Sequence, residues 1–372
     1  MDRIKVLVVD DSAFMRKVIS DLLAQDPSLE VVGAARDGLD ALARIAAARP
    51  DVVTLDVEMP RMDGLQALKE IMVRFPLPVV MVSSLTQEGA ETTIRALALG
   101  AVDFVGKPSG SISLDMRKVG ADLVAKVKAA ARAKIRPWLE AVEPRSERRS
   151  ARSPGPAGAP VPAAETLQGP KPLKPKSSAS ELARRLVLIG CSTGGPGALH
   201  RLIPELPGDL EAGVLVVQHM PPGFTRSLAV RLNELSPLEV LEASAGDEIR
   251  QGRVLVAPGG FHLVVEPDRT VSLNQDPPLH GVRPAADKTF ESAAGVFGFS
   301  IVGAILTGMG YDGARGAAAV RRAGGKVIAE HESTCVVYGM PRVVVEMGNA
   351  DRVVPISEVA PVIVELISSA KS

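Results

Sequence analysis

Residues 141–180 contain eight prolines, seven alanines, six serines and three glycines, and no Ile, Phe, Tyr, Trp or Met. Such a stretch cannot bury enough apolar surface to offset the entropy of ordering it, so it is expected to be a semi-extended linker. It divides the 372 residues into two bodies that must each build a core, within the two or three domains this length allows. The expected organisation is a first domain over 1–125, a basic helix and linker over 126–180, and a second domain over 181–372. The helix is expected from Leu123 through Leu139, stopping near Pro137.

Charge follows the same division. Residues 1–125 carry 14 basic and 18 acidic side chains, residues 126–180 carry 12 and 4, and residues 181–372 carry 17 and 21. Two mildly acidic lobes are joined by a basic segment, which suits either a solvated spacer or contact with an acidic partner or phosphates. Neither lobe has the basic excess, the helix-turn-helix pattern or the aromatic content (3%) of a nucleic-acid binder. The two cysteines, Cys191 and Cys335, form no C-x-x-C pair, which argues against a zinc site or a disulfide framework. No apolar run approaches 18 residues, and Ile4–Val9 follows no basic leader. A cytoplasmic location is expected, with membranes touched only through partners.

The first lobe alternates short apolar runs (Ile4–Val9, Val31–Ala35, Val52–Leu55, Val79–Ser83, Ala101–Val105) with helix-like stretches (Ala13–Ala24, Leu39–Ala48, Leu65–Val73, Ala90–Leu99). Five β-α units predict a doubly wound parallel sheet, whose ligands sit at the carboxyl ends of the strands. Asp10 and Asp11 follow the first strand, Asp56 ends the third, Ser83 and Ser84 end the fourth, and Lys107 follows the fifth. A single acid at a strand end is commonly a helix cap. Three carboxylates meeting a lysine and a hydroxyl instead make a hard-oxygen pocket suited to Mg²⁺, where a carboxylate can attack phosphorus.

On these residues the lobe resembles the response-regulator receiver domain, a flavodoxin-like fold, along its whole length. The resemblance implies Asp56 as the phosphorylated residue, with Asp10, Asp11, Asp56 and the backbone carbonyl of Glu58 around Mg²⁺. It also implies Ser83 and Lys107 as contacts of the phosphoryl group, Phe104 as the aromatic switch position, and a sensor histidine kinase as phosphodonor.

In the second lobe, the strand-like Leu186–Ile189 leads into Gly190-Cys-Ser-Thr-Gly-Gly-Pro196 and then a helix-like Ala198–Leu206. Glycines at the bend and proline just inside a helix start mark a tight strand-to-helix turn with Ser192 at its apex. A turn of this kind suits a nucleophile, a phosphate site or a plain reversal of the chain. Val214–Val217 runs into His219, and Ile301–Leu306 runs into Thr307-Gly-Met-Gly-Tyr-Asp312-Gly. If these strands are neighbours, Ser192, His219 and Asp312 meet on one sheet edge: a hydroxyl, a base to take its proton, and a carboxylate to fix the imidazole tautomer. His331 competes with His219, Asp247 and Asp287 compete with Asp312, and Cys191 is a rival nucleophile expected to point inward. The order Ser, His, Asp disfavours the α/β-hydrolase fold.

Five segments, Ile189–Pro196, Val217–Pro221, Leu255–Gly260, Leu306–Ala314 and Val337–Pro341, together resemble the catalytic domain of the chemotaxis protein-glutamate methylesterases, the CheB family. Receiver, linker and catalytic domain then span the full chain, and both lobes are α/β with parallel sheets. The resemblance implies Ser192, His219 and Asp312 as nucleophile, base and acid. It places the oxyanion hole on backbone N–H groups near Thr193 and Met309, with no cofactor for the ester chemistry. The implied activity is demethylation of glutamate methyl esters on methyl-accepting chemoreceptors, with deamidation of receptor glutamines by the same acyl transfer. Cys191 stands where the family usually has alanine, and His280–Ser292 fits the family pattern less well. A response regulator with a non-catalytic binding module as its output is the alternative reading.

Overall fold

The computed structural model describes residues 3–84, 86–107, 115–133 and 181–369, with backbone alone for 115–118. In the first lobe, strands β1 (Ile4–Val9), β2 (Leu29–Ala35), β3 (Val52–Asp56), β4 (Val79–Ser83) and β5 (Asp103–Gly106) pair in parallel in the order β2-β1-β3-β4-β5. Helices α1 (Ala13–Ala24), α2 (Gly38–Ala48), α3 (Gly64–Arg74), α4 (Gln87–Ala98) and α5 (Asp115–Ala130) cover the sheet. Helices α1 to α4 start at Ser12, Asp37, Asp63 and Thr86, whose side-chain oxygens each accept a backbone N–H three residues on. Each such cap stabilises its helix by about 1 kcal/mol.

Helix α5 begins eight residues before the expected Leu123. It sends Leu123, Val127 and Ala130 into the core formed with Val6, Val80 and Val105. The first fold therefore continues past 125, because the apolar face of this helix is needed to cover the sheet. The remainder of the expected helix and linker, 134–180, lies outside the described residues.

The second lobe is a seven-stranded parallel sheet in the order β14-β13-β12-β6-β7-β9-β8. Its strands are β6 (Leu186–Cys191), β7 (Gly213–Gln218), β8 (Glu239–Glu242), β9 (Arg253–Val256), β12 (Ile301–Ile305), β13 (Lys326–Glu330) and β14 (Arg352–Val354), while β10 (His262–Val265) and β11 (Val271–Asn274) form a separate hairpin. The helices are α6 (Gly195–Leu202), α7 (Phe224–Leu235), α8 (Ala286–Phe297), α9 (Ala314–Arg322), α10 (Met340–Glu346) and α11 (Ile356–Ser369). Central strands β6 and β7 are buried along their whole length, as a sheet covered on both faces requires.

The lobes touch. Helix α4 packs on α6 and α7. One apolar cluster runs from Met72, Leu97 and Phe104 of the first lobe to Leu199, Phe224 and Leu232 of the second.

Candidate active site and phosphoacceptor pocket

In the first lobe the strand order reverses at β1 and β3, which opens a crevice at their carboxyl ends. Asp10, Asp11 and Asp56 stand there, with oxygens that all lie within 4.8 Å of one another. Lys107 Nζ approaches Asp10 Oδ2 at 3.0 Å and Asp56 Oδ2 at 2.8 Å. Burial and the neighbouring Asp10 charge push the Asp56 carboxyl up to about 6 against the pull of Lys107. One lysine leaves two of the three carboxylate charges uncompensated, so the donor set fits a hard divalent cation. Ser83, at the end of β4, is buried and donates its hydroxyl to the Gly89 carbonyl at 3.1 Å.

In the second lobe the reversal falls at β6, which β7 flanks on one side and β12 on the other. Ser192 follows β6, His219 follows β7 and Asp312 lies beyond β12. All three line one cleft with Thr193, Met309 and His280. His219 Nε2 donates to Asp312 Oδ2 at 2.7 Å, and both side chains are nearly buried. Burial disfavours the charged Asp312 carboxylate, but the bonds from His219 and from the backbone N–H groups of Ala286 and Asp287 outweigh it and hold its pKa below the usual range. The acid is thus kept ionised and turned toward the imidazole.

The Ser192 turn is braced on several sides. The Ser192 N–H donates to the Thr307 carbonyl at 3.0 Å, and the Gln218 amide donates to the Ser192 carbonyl at 3.0 Å. Thr307 passes its hydroxyl hydrogen to the Thr193 carbonyl, and its N–H goes to the buried carboxylate of Glu330, at 2.8 Å. Gly308 has to be glycine, because a Cβ there would meet Ser192 Cβ at 2.8 Å and Met340 Sδ at 2.4 Å. Among the described residues neither the Thr193 nor the Met309 N–H donates a hydrogen bond, and both residues line the cleft that holds Ser192.

The competing candidates fall elsewhere. Cys191 points inward, fully buried, with its thiol donating to Gln218 Oε1 at 3.1 Å and its pKa raised by burial. His331 is exposed and bonds Ser333, and Asp247 accepts the Ser244 N–H, both away from the cleft. Asp287 is buried beside Asp312 but pairs with His280 at 2.9 Å.

Gln218, Glu330 and the His280–Asp287 pair went unread in the sequence. For Glu330 a signal existed: an acid closing the apolar strand β13. The first lobe also reaches this cleft. Asp103, Asp122 and Lys126 line it, and Asp103 Oδ2 accepts the Thr193 hydroxyl at 2.6 Å.

The family model for CheB methylesterase matches residues 187–363, and that for the response regulator receiver domain matches residues 6–117. A protein-glutamate methylesterase/protein-glutamine glutaminase of Symbiobacterium thermophilum is 60% identical over 365 residues, covering 98% of this chain and 97% of that protein. A protein of the same description from Pyrococcus horikoshii is 48% identical over 368 residues, covering 98% of this chain and 94% of that one. The solved CheB methylesterase catalytic domain of Thermotoga maritima is 46% identical with a TM-score of 0.48, covering 49% of this chain and 98% of that chain. Among the described residues no helix is long and apolar enough to cross a membrane. With both domain models matched in one chain and relatives alike over nearly its full length, the chain belongs to the CheB family of protein-glutamate methylesterases that carry an N-terminal receiver domain.

Proposed function

We propose that the chain hydrolyses glutamate methyl esters on cytoplasmic chemoreceptor helices, and deamidates receptor glutamines, under control of Asp56 phosphorylation. The reading is carried by the His219–Asp312 hydrogen bond of 2.7 Å in the cleft that also holds Ser192. Ser192 Oγ attacks the side-chain carbonyl carbon while His219 takes its proton, and the carbonyl oxygen turns toward the free N–H groups of Thr193 and Met309. His219 then returns the proton to the leaving methanol or ammonia. Water, deprotonated by the same imidazole, releases the glutamate carboxylate and restores Ser192.

In the first lobe, Asp10, Asp11, Asp56 and the Glu58 carbonyl would hold Mg²⁺, which offsets the negative charge as a phosphoryl group from a sensor histidine kinase reaches Asp56. Ser83 and Lys107 contact that group. In the unphosphorylated chain the first lobe narrows the cleft. Asp103 holds the Thr193 side chain, and Phe104 stacks on Phe224 of α7 with ring centroids 4.4 Å apart. A rearrangement of Ser83 and Phe104 on phosphorylation loosens that contact. A few kcal/mol separates mostly closed from mostly open, within the range of one new dianion in a metal site.

The test is methanol release from radiomethylated receptor membranes. The full chain with Mg²⁺ and a small-molecule phosphodonor is expected to release it faster than the chain without phosphodonor. A chain that releases none under either condition would leave a binding module as the better reading.

A further inference from the structure

The cleft holds a second imidazole that the esterase chemistry does not use. His280 and Gly281 occupy the turn between Leu279 and Val282, which pair as an antiparallel bridge, and both turn residues are left-handed, with φ of 55° and 80°. A left-handed conformation at a non-glycine residue is strained and persists only where the surroundings impose it. Here the ring is fixed from two sides. Its Nε2 meets the buried Asp287 Oδ2 at 2.9 Å, and its ring packs against the Tyr311 ring in a T-shaped contact, at 4.6 Å between centroids. Asp287 in turn is anchored through the Gly316 N–H, at 2.7 Å. A ring nitrogen of His280 and oxygens of Asp287 and Asp312 lie within 4.8 Å of one another, so the two imidazoles flank one acidic pair.

We propose that His280 is a specificity residue, presenting Nδ1 as a hydrogen-bond acceptor that a carboxamide substrate can use and a methyl ester cannot. In the tautomer whose Nε2–H donates to Asp287, the ring carries its lone pair on Nδ1. That atom has no hydrogen-bond partner among the described residues, is not a buried orphan, and belongs to a residue that lines the cleft with Ser192 and His219. During glutamine deamidation the bond from Ser192 Oγ to carbon forms, the C–N bond breaks, and the nitrogen takes the proton held by His219 to leave as ammonia. An acceptor for one of the nitrogen's own N–H groups orients its lone pair toward that proton. His280 itself gains and loses no proton in the step. Methoxide carries no N–H, so the same acceptor gives the ester nothing.

The inference rests on the reading of this cleft as a glutamate esterase and glutaminase, and the test separates the two. The full chain, activated with phosphodonor and Mg²⁺, is given a receptor helical fragment bearing at one position either glutamate methyl ester or glutamine. Methanol and ammonia are measured side by side. His280→Gly removes the ring while accepting the left-handed backbone, and is expected to lower the ratio of deamidation to demethylation about tenfold. His280→Asn also tolerates that backbone and restores an acceptor near the Nδ1 position, so the ratio should largely return. A ratio unchanged in His280→Gly, or a loss shared equally by both reactions, makes the pair a plain structural brace and overturns the proposal. Wild-type chain that releases methanol but no ammonia also overturns it while leaving the esterase reading intact. Release of neither removes both.

Discussion

The Thr193 hydroxyl, next in sequence to the candidate nucleophile, donates to Asp103 of the first lobe at 2.6 Å across 90 residues of sequence. Asp103 is anchored on its own side, since its Oδ1 accepts the Phe104 N–H at 2.8 Å and lies 3.7 Å from Lys126 Nζ. Lys126 also donates to the Phe104 carbonyl at 2.7 Å and sits over the Phe104 ring. Phe104 and the residue beside the candidate nucleophile thus share one set of polar contacts.

If that set helps keep the cleft closed, Asp103→Ala should raise the basal rate of methanol release by the unphosphorylated full chain, by about threefold to tenfold. A buried hydrogen bond to a charged group contributes roughly 1.5–3 kcal/mol, part of which is regained by water in the open form. Removal of residues 1–180 should raise the basal rate further. A correctly folded 181–372 fragment no faster than the unphosphorylated chain would mean that phosphorylation stimulates rather than relieves.

Ser192→Ala and His219→Ala should each reduce the methanol release rate by at least about a thousandfold, and the double variant should be little worse than either, because the two act on one proton. Cys191→Ala should stay within a few-fold of wild type, since the thiol is buried and its raised pKa keeps it protonated. The reverse pattern, with Cys191→Ala inactive and Ser192→Ala active, would move the nucleophile by one residue.

A small-molecule phosphodonor with Mg²⁺ should label the wild type but not Asp56→Asn, and a chelator should abolish the label. Lys107 alone cannot offset three carboxylates and a phosphoryl dianion in a pocket where Asp56 is already raised to about 6 without one. The bond formed should be an acyl phosphate, so label that survives acid and maps to serine or threonine would place the phosphoacceptor elsewhere.

Glu330 is 1% exposed, and burial raises its pKa above the ordinary carboxyl value against the pull of its hydrogen bonds. The folded state therefore keeps the Glu330 proton to higher pH than the unfolded state does. Unfolding releases that proton, and the Glu330 contribution to stability falls as pH rises through the window above the unfolded value. Glu330→Gln keeps an acceptor for the Thr307 N–H without the charge. Its melting temperature relative to wild type should climb from acid toward neutral pH. A difference that does not vary with pH would show that the carboxyl is not held protonated.

Much of the fold was legible because each signal was local. The apolar runs of β1, β4, β6 and β12 are bounded within two residues by the acids, serines and glycines that the crevices need. Polar caps or glycines mark most helix starts. The strand-end places of Ser192, His219, Asp312 and Asp56, and the inward Cys191, could be read because in parallel sheets the residues that follow the strands meet at one edge, and a linear sequence displays strand ends. The helix expected from Leu123 begins at Asp115 instead, and what holds it is the packing of Leu123, Val127 and Ala130 against Val80 of β4 and Val105 of β5, contacts that its own sequence does not display. Tertiary structure alone decided the rest. It set β12 rather than β13 beside β6, so that His219 meets Asp312 and not another acid. It turned His280 toward Asp287 through a strained turn, and it brought Asp103 against Thr193. Those pairings depend on strand order and on the docking of two lobes, and residues separated by tens of positions carry no spacing from which such contacts follow.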